Sequence, residues 1–191
     1  MPDRRILAAS ISSSAAGILL SIVLHSPWAA PNIYSDIGSF WGRSWVAGGL
    51  FPNSSPDTFF EYPPVSGLIL YGARVLGGNY VGYYLSFSAF SLVAVAVLAW
   101  STWRLASKMG VKVNPLYFLL PSILIYGVYN FDLFNALFVV LSIQLFIEKR
   151  RGMSAVFLGL AFATKLVAIV LLPVFLIEIA GWKEKFRYFA T

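Results

Sequence analysis

An all-α, polytopic membrane helix bundle is the fold class this sequence predicts, and three observations predict it. Of the 191 residues, 59% are hydrophobic and only 12% charged, about half the charged share of an ordinary soluble domain, so polar groups could not cover a globular surface. Windows free of formal charge recur along the chain, the longest ample to cross about 30 Å of hydrocarbon. The basic residues collect in clusters between those windows, as they do in cytoplasmic loops under the positive-inside rule. A soluble enzyme, a disordered tail and a nucleic-acid-binding domain are all poor fits. The net charge of +6 is an orientation signal rather than a nucleic-acid footprint. There is no cysteine, and His25 is the one histidine, which excludes disulfides, thiolate metal sites and a histidine cluster.

Residues 6–24 form the first span. Arg4 and Arg5 precede it like the basic start of a signal peptide, but the apolar run exceeds the usual h-region of about 7–15 residues, and no A-x-A-like site follows. It reads as a retained helix. Residues 80–103 are the second span, 113–129 the third and 133–147 the fourth. Residues 152–181 are apolar apart from Lys165 and Glu178; as one helix they would reach about 45 Å, long for a single crossing. The charges decide between one crossing and two. All of the 14 Lys and Arg except Arg43, Arg74 and Lys165 lie in four clusters: Arg4 and Arg5; Arg104, Lys108 and Lys112; Lys149, Arg150 and Arg151; Lys183, Lys185 and Arg187. With all four clusters cytoplasmic, an even number of crossings separates the last two. Residues 152–181 are therefore expected to fold as a hairpin turning near Lys165. About six membrane helices result, in a multi-pass protein of the cell membrane with both termini cytoplasmic. Asp36, Arg43, Asp57, Glu61, Arg74, Asp132 and Lys165 fall on the outer side or in the outer half of the membrane. The hairpins that carry Asp132 and Lys165 are shallow, and ionisable groups at such depth are functional candidates by default.

Residues 27–79 make the one long outer loop. It is rich in proline and aromatic residues, among them Trp28, Tyr34, Trp41, Trp45 and Tyr62, types that favour the membrane–water interface. Asp36 is expected to cap a short helix over 37–48. On that helix Trp41 and Trp45 stand four apart and turn an apolar edge to lipid, and Arg43 lies two turns from Asp36 on one face. Pro63 and Pro64 start a second short element over 65–76, and Tyr62, standing before Pro63, is held extended. Two interfacial helices are thus expected in this loop. Asn53 begins an N-x-S sequence, a match common by chance. His25 ends the first helix as an interfacial anchor, Arg74 faces headgroups, and the serines at 10, 12, 13 and 14 serve helix packing.

Four stretches carry a resemblance to a known family: YSDIGSFWGR at 34–43, FFEYPPVSGLILY at 59–71, YNFDLFNALFVVLSI at 129–143 and GLAFATKLVAIVLLP at 159–173. In this order they resemble the membrane glycosyltransferases of the GT-C fold. The closest likeness is to the polyprenyl-phosphate-sugar-dependent branch, which includes prokaryotic mannosyltransferases and the GPI mannosyltransferase. The likeness covers roughly residues 30–180, so the chain is read as a single transmembrane domain over 1–191 resembling the N-terminal part of a GT-C module. Many members carry a Pro soon after the Lys of the last stretch; here Ala168 stands there and the proline comes at Pro173. Members also have more helices, and further helices from a continued chain or a partner subunit are expected around Asp132 and Lys165.

The resemblance implies transfer of a hexose, mannose first, from a polyprenyl-phosphate donor to a lipid or glycan acceptor hydroxyl on the outer face. It implies Asp36 as catalytic base, and Arg43, Glu61, Tyr62, Asn130, Asp132 and Lys165 as substrate-binding residues. Such chemistry needs a carboxylate to take the acceptor proton and cations to hold the phosphate as it leaves. No cofactor is called for. Position 38 is Gly38, so Asp36 lacks a second acid two residues on, and metal-independent chemistry is expected. Plainer roles stand beside each: helix capping for Asp36, Asn130 and Asp132, headgroup contact for Arg43, loop structure for Glu61 and Tyr62, and snorkelling for Lys165. Two other functions stay open, a lipid or polyprenol-phosphate transporter and a non-catalytic membrane assembly subunit. A transporter would be expected to show repeated halves, and the sequence has no internal repeat.

Overall fold

A computed structural model describes residues 4–29 and 31–191, and among them all regular structure is helical. Helix α1 (Arg4–His25) and helix α5 (Tyr80–Lys108) have the length and apolar composition of membrane spans, about 33 and 44 Å of helix. Both leave apolar side chains turned outward, Leu19, Leu20 and Val23 on α1 and Val81, Leu85 and Val93 on α5. Such an exposed apolar surface is what a lipid-facing helix presents.

Between them lie α2 (Asp36–Phe40), α3 (Ser44–Ala47) and α4 (Pro64–Gly77). The second loop element thus forms nearly where the proline pair predicts, with Pro64 at the first turn, where its missing N–H costs nothing. The α4–α5 connection is tight. A Cβ on Gly77 would stand 2.1 Å from the Tyr83 nitrogen, and one on Gly82 would stand 2.0 Å from the Gly77 carbonyl oxygen. Only glycine admits that approach. Asn79 then caps α5, its Oδ1 accepting from the Gly82 N–H at 2.9 Å.

The third expected span is not one helix. Residues 113–129 hold a 3₁₀ turn at Pro115–Leu119 and a short helix α6 (Pro121–Tyr126). Pro121 has no N–H to continue a ladder, and it holds Leu120 extended at φ −65°, ψ 156°, which breaks the run. Then come α7 (Asp132–Ile147), α8 (Arg151–Phe162), a 3₁₀ turn at Leu166–Val170, α9 (Leu171–Glu178) and α10 (Trp182–Phe189). Helix α7, the 3₁₀–α9 stretch and α8 are apolar but shorter than α1 and α5. The chain does turn at Lys165 as the charge pattern requires: α9 returns along α7 and α8, with Phe175 stacked on Phe146 at 4.4 Å and Ile179 buried in the same cluster as Ala155 and Leu158.

Helix α5 is the spine, packed against α1, α4 and α7, and α7 pairs with α8. The serine run serves packing in part: Ser10 and Ser14 are buried, whereas Ser12 is exposed. The main core gathers toward the start of α5, where Tyr83, Tyr84 and Phe87 are fully buried with Phe40, Phe60 and Phe131.

Candidate functional site

The loop before α2 is set by His25. Its ring is buried, with Nδ1 3.0 and 3.1 Å from the carbonyl oxygens of Ile33 and Tyr34 and Nε2 2.8 Å from that of Ile125. His25 is therefore an internal tie between α1, the loop and α6, not an interfacial anchor. It fixes the backbone just ahead of Asp36.

Asp36 does not cap the helix. Ser35 does: its backbone is extended (φ −137°, ψ 144°) and its Oγ accepts from the Gly38 N–H at 3.0 Å, the arrangement that satisfies a first-turn donor. Asp36 becomes the first helical residue, and its carboxylate is left for other work. Oδ2 accepts a hydrogen bond from the Tyr62 hydroxyl at 2.9 Å. Burial and the bond to Asp36 both raise the Tyr62 pKa, so the phenol stays a donor. The Tyr62 ring is fixed by stacking on Phe60 at 5.4 Å and by an edge contact with Phe131 at 5.1 Å.

The helix expected over 37–48 is broken. It ends at Phe40, turns through Trp41 and Gly42, and restarts at Ser44. Arg43 therefore sits at a turn with extended ψ of 124° rather than two turns down one helix. Its guanidinium meets Glu61 in a two-point pair, Nη1 to Oε2 at 2.7 Å and Nη2 to Oε1 at 2.6 Å, and lies 4.8 Å from the centre of the Phe40 ring. The hydrogen bond from Arg43 lowers the Glu61 pKa, and Glu61 raises that of Arg43. Trp41 and Trp45 do not turn toward lipid. Trp45 is buried, and Trp41 packs on Tyr80 and Tyr83 at 5.6 and 5.5 Å. Arg74 is no headgroup contact either. Its Nε and Nη2 donate to the carbonyls of Val46 and Ala47, at 3.0 Å and 2.7 Å, and so close the end of α3. Asn53 stays exposed, and its Oδ1 accepts from the Phe60 N–H at 2.9 Å.

The second half of the site comes from two hairpin corners. Asn130 is buried and its Oδ1 accepts from the Asp132 N–H at 2.8 Å, shaping the corner that opens α7. Asp132 forms an ion pair with Lys165. Both side chains are about one third to two fifths exposed, so the pair stands at a solvent-reached edge rather than in the core. The corner holding Lys165 is tied to the loop motif by two bonds, Val65 N–H to the Ala163 carbonyl at 2.8 Å and Ser66 Oγ to the Thr164 carbonyl at 2.8 Å. The Ile37 N–H reaches the Tyr129 carbonyl at 3.3 Å, and Asn135 donates to the Ala161 carbonyl at 2.8 Å. These contacts bring all seven sequence-predicted residues to one end of the bundle.

Two cavities flank the assembly. One of about 260 Å³ is lined by Leu98, Ile123, Tyr126, Leu133 and Ala136, with Asp132 at its edge. The other, of about 320 Å³, is lined by Asn32, Tyr34, Ser35, Ser39 and Tyr80. Among the described residues no group of three or more His, Asp or Glu side chains could hold a metal ion. Ser35, His25 and Arg74 were not foreseen as site supports. Ser35 had a visible signal, a good capping residue directly before an acid; the other two act through contacts across the fold.

A phenol-held carboxylate and two acid–cation pairs thus stand at one end of a helical bundle that carries two apolar helices of membrane-spanning length. The family model for Glycosyltransferase family 87 matches residues 59–191, most of the chain, and the protein belongs to that family. No curated protein and no solved structure matches the chain.

Proposed function

We propose that this family member transfers a hexose, mannose first, from a polyprenyl-phosphate sugar to a lipid or glycan hydroxyl at the outer face of the cell membrane. In this reading the 191 residues are a single transmembrane domain with the GT-C fold and six crossings, and both termini are cytoplasmic. One observation carries it: Asp36, Arg43, Glu61, Tyr62, Asp132 and Lys165 come from four separate stretches of chain and meet in three direct pairs at one end of the bundle, with the Ser66–Thr164 bond tying the Lys165 corner to the loop motif.

The acceptor oxygen bonds to the anomeric carbon as the bond from that carbon to the phosphate oxygen breaks. The hydroxyl proton passes to Asp36, and the electron pair of the broken bond leaves on the polyprenyl phosphate. Tyr62 holds Oδ2 of Asp36, which leaves Oδ1 to face the acceptor. Arg43 and Lys165 are the cations at hand for the phosphate. Each is already neutralised, by Glu61 and Asp132, so a phosphate gains them by sharing or displacing a carboxylate. Glu61, once released, can accept from sugar hydroxyls. Asn130 shapes the corner that aims Asp132. The apolar cavity beside Asp132 suits a prenyl tail, and the cavity of mixed lining beside Ser35 suits an acceptor.

The test is transfer from a polyprenyl-phosphate mannose by the reconstituted protein. Asp36→Asn keeps size but removes the base, and turnover should fall by about 10²–10⁴. Near-normal transfer by a well-inserted Asp36→Asn protein would remove Asp36 from the chemistry. Movement of polyprenyl phosphate across vesicles without any sugar transfer would favour the transporter instead. Sidedness has its own check: single cysteines at Ser54 and Ser107 should react with an impermeant reagent from opposite sides, and labelling from one side would overturn the topology.

A further inference from the structure

Helix α10 does not contribute to the site, and its surface is sharply divided. Trp182, Phe186 and Phe189 recur at helical spacing and are 86%, 72% and 65% exposed. The opposite side is fastened down: Tyr188 is buried, its ring edge-on to Phe146 and Phe175 at 5.9 Å each, and its hydroxyl lies 3.0 Å from Ser154 Oγ. An exposed aromatic row on a helix so firmly held is not a frayed end. Lys183 and Lys185 border the row on its two sides, and Glu184 is the one acid of the helix. The charged run 149–151 stands at the same end of the bundle, since Ser154 belongs to the first turn of α8 beyond it.

Entry to α10 fits the boundary of a bilayer. Helix α9 is apolar along its length until Glu178, and the chain then turns at Gly181, whose φ of +85° is open to glycine and strained for other residues. The aromatic row continues an apolar surface of α9. A trough of about 430 Å³ between the two helices is lined by apolar side chains of both, among them Leu176, Ile177, Trp182 and Phe186, with Lys185 as its one charged residue.

We infer that α10 lies in the plane of an anionic lipid leaflet, with Trp182, Phe186 and Phe189 in the acyl boundary and Lys183 and Lys185 at the phosphate level. Aromatic rings and lysine stems both favour that depth, and anionic headgroups complement the flanking ammonium groups. A covering protein helix would instead have to bring acids to both flanks of the row.

The absence of native cysteine makes the test direct. Single variants Phe186→Cys, Phe189→Cys and Glu184→Cys of the whole chain are labelled with a polarity-sensitive fluorophore. They are reconstituted in phosphatidylcholine vesicles with and without phosphatidylglycerol. Probes at 186 and 189 should be quenched by acyl-chain spin labels and shielded from iodide present on both sides, and the probe at 184 should show the reverse. Adding phosphatidylglycerol should deepen the first pattern, and Lys183→Gln with Lys185→Gln should abolish that dependence. Equal iodide access at 184, 186 and 189 would overturn the inference. So would shielding of 186 and 189 from both quenchers, which would mean that protein covers the row, or indifference to phosphatidylglycerol. Two positions on the row guard against one label disturbing the fold.

Discussion

Helix α7 carries an acid at each end, and the two ends treat charge differently. At its start Asp132 pairs with Lys165, close to the equally one-to-one pair of Arg43 and Glu61. At its finish Glu148 is shared by Arg104 at 2.8 Å and Lys108 at 3.0 Å and also accepts from Gln144 at 3.1 Å. Around the first end, two acids are matched one-to-one with cations, and Asp36 is held by a phenol instead, all among packed aromatic rings. Around the second, cations outnumber acids. In the proposed reading, matched pairs at defined geometry present charge to a substrate, with each partner ready for exchange. A surplus of one sign is an address, read by the membrane as a whole.

The largest expected contrast between the ends is in turnover. Asp36→Asn should lose about 10²–10⁴ in transfer rate, whereas Glu148→Gln, the same carboxylate-to-amide change at the other end, should leave the rate of the folded protein within about twofold. A comparable loss from both would mean that the ends are not separate in function. Tyr62→Phe comes next. It removes one hydrogen bond to a carboxylate while keeping the ring contacts, and kcat should fall by roughly tenfold with little change in donor KM. An equal rise in KM alone would make Tyr62 a binding residue.

The ion pair at the first end should show in stability rather than rate alone. Lys165→Gln leaves Asp132 unpartnered, and with both groups partly exposed the cost should be about 1 kcal/mol. Adding Asp132→Asn should recover most of that loss, a coupling that a double-mutant cycle in denaturant measures directly. Additive losses would show that the two side chains are not partners. The smallest effect lies at the other end. The hydrogen bond from Lys108, with help from Gln144 and Arg104, holds Glu148 at about 2 against an ordinary 4.5. A depressed carboxylate stabilises the fold above its unfolded pKa, and the gain is lost as pH falls from about 4.5 toward 2. Glu148→Gln should lower stability at neutral pH by about 0.5 kcal/mol, discounted for the exposure of its cations, and should flatten the acid dependence across that window.

Sequence alone determined what depends on chain neighbours and on the bilayer. Low charge and long apolar windows called for helices, since a lipid-exposed backbone must satisfy its own hydrogen bonds. Pro63 and Pro64 marked the start of α4 within a residue, because a proline's missing N–H belongs in a first turn. The isolated Lys165 in an apolar stretch marked a chain reversal, because the basic clusters on either side of it were expected to share one side of the membrane. The family stretches also pointed to the residues that now stand together.

Tertiary structure decided every question of partnership and direction. Asp36 and Ser35 are both good capping residues, and the phenol of Tyr62, 26 positions away in the chain, fixes which of them is free. Trp41 and Trp45 have the spacing of a lipid-facing edge, yet Tyr80, Tyr83 and Arg74 meet Trp41, and Phe60 meets Trp45, from other elements. His25 has the place of an interfacial anchor and Arg74 that of a headgroup contact, but carbonyl groups at the ends of other segments claim them. Local spacing says which residues can share a face. Which way that face turns depends on the donors, acceptors and rings that the rest of the chain brings to it.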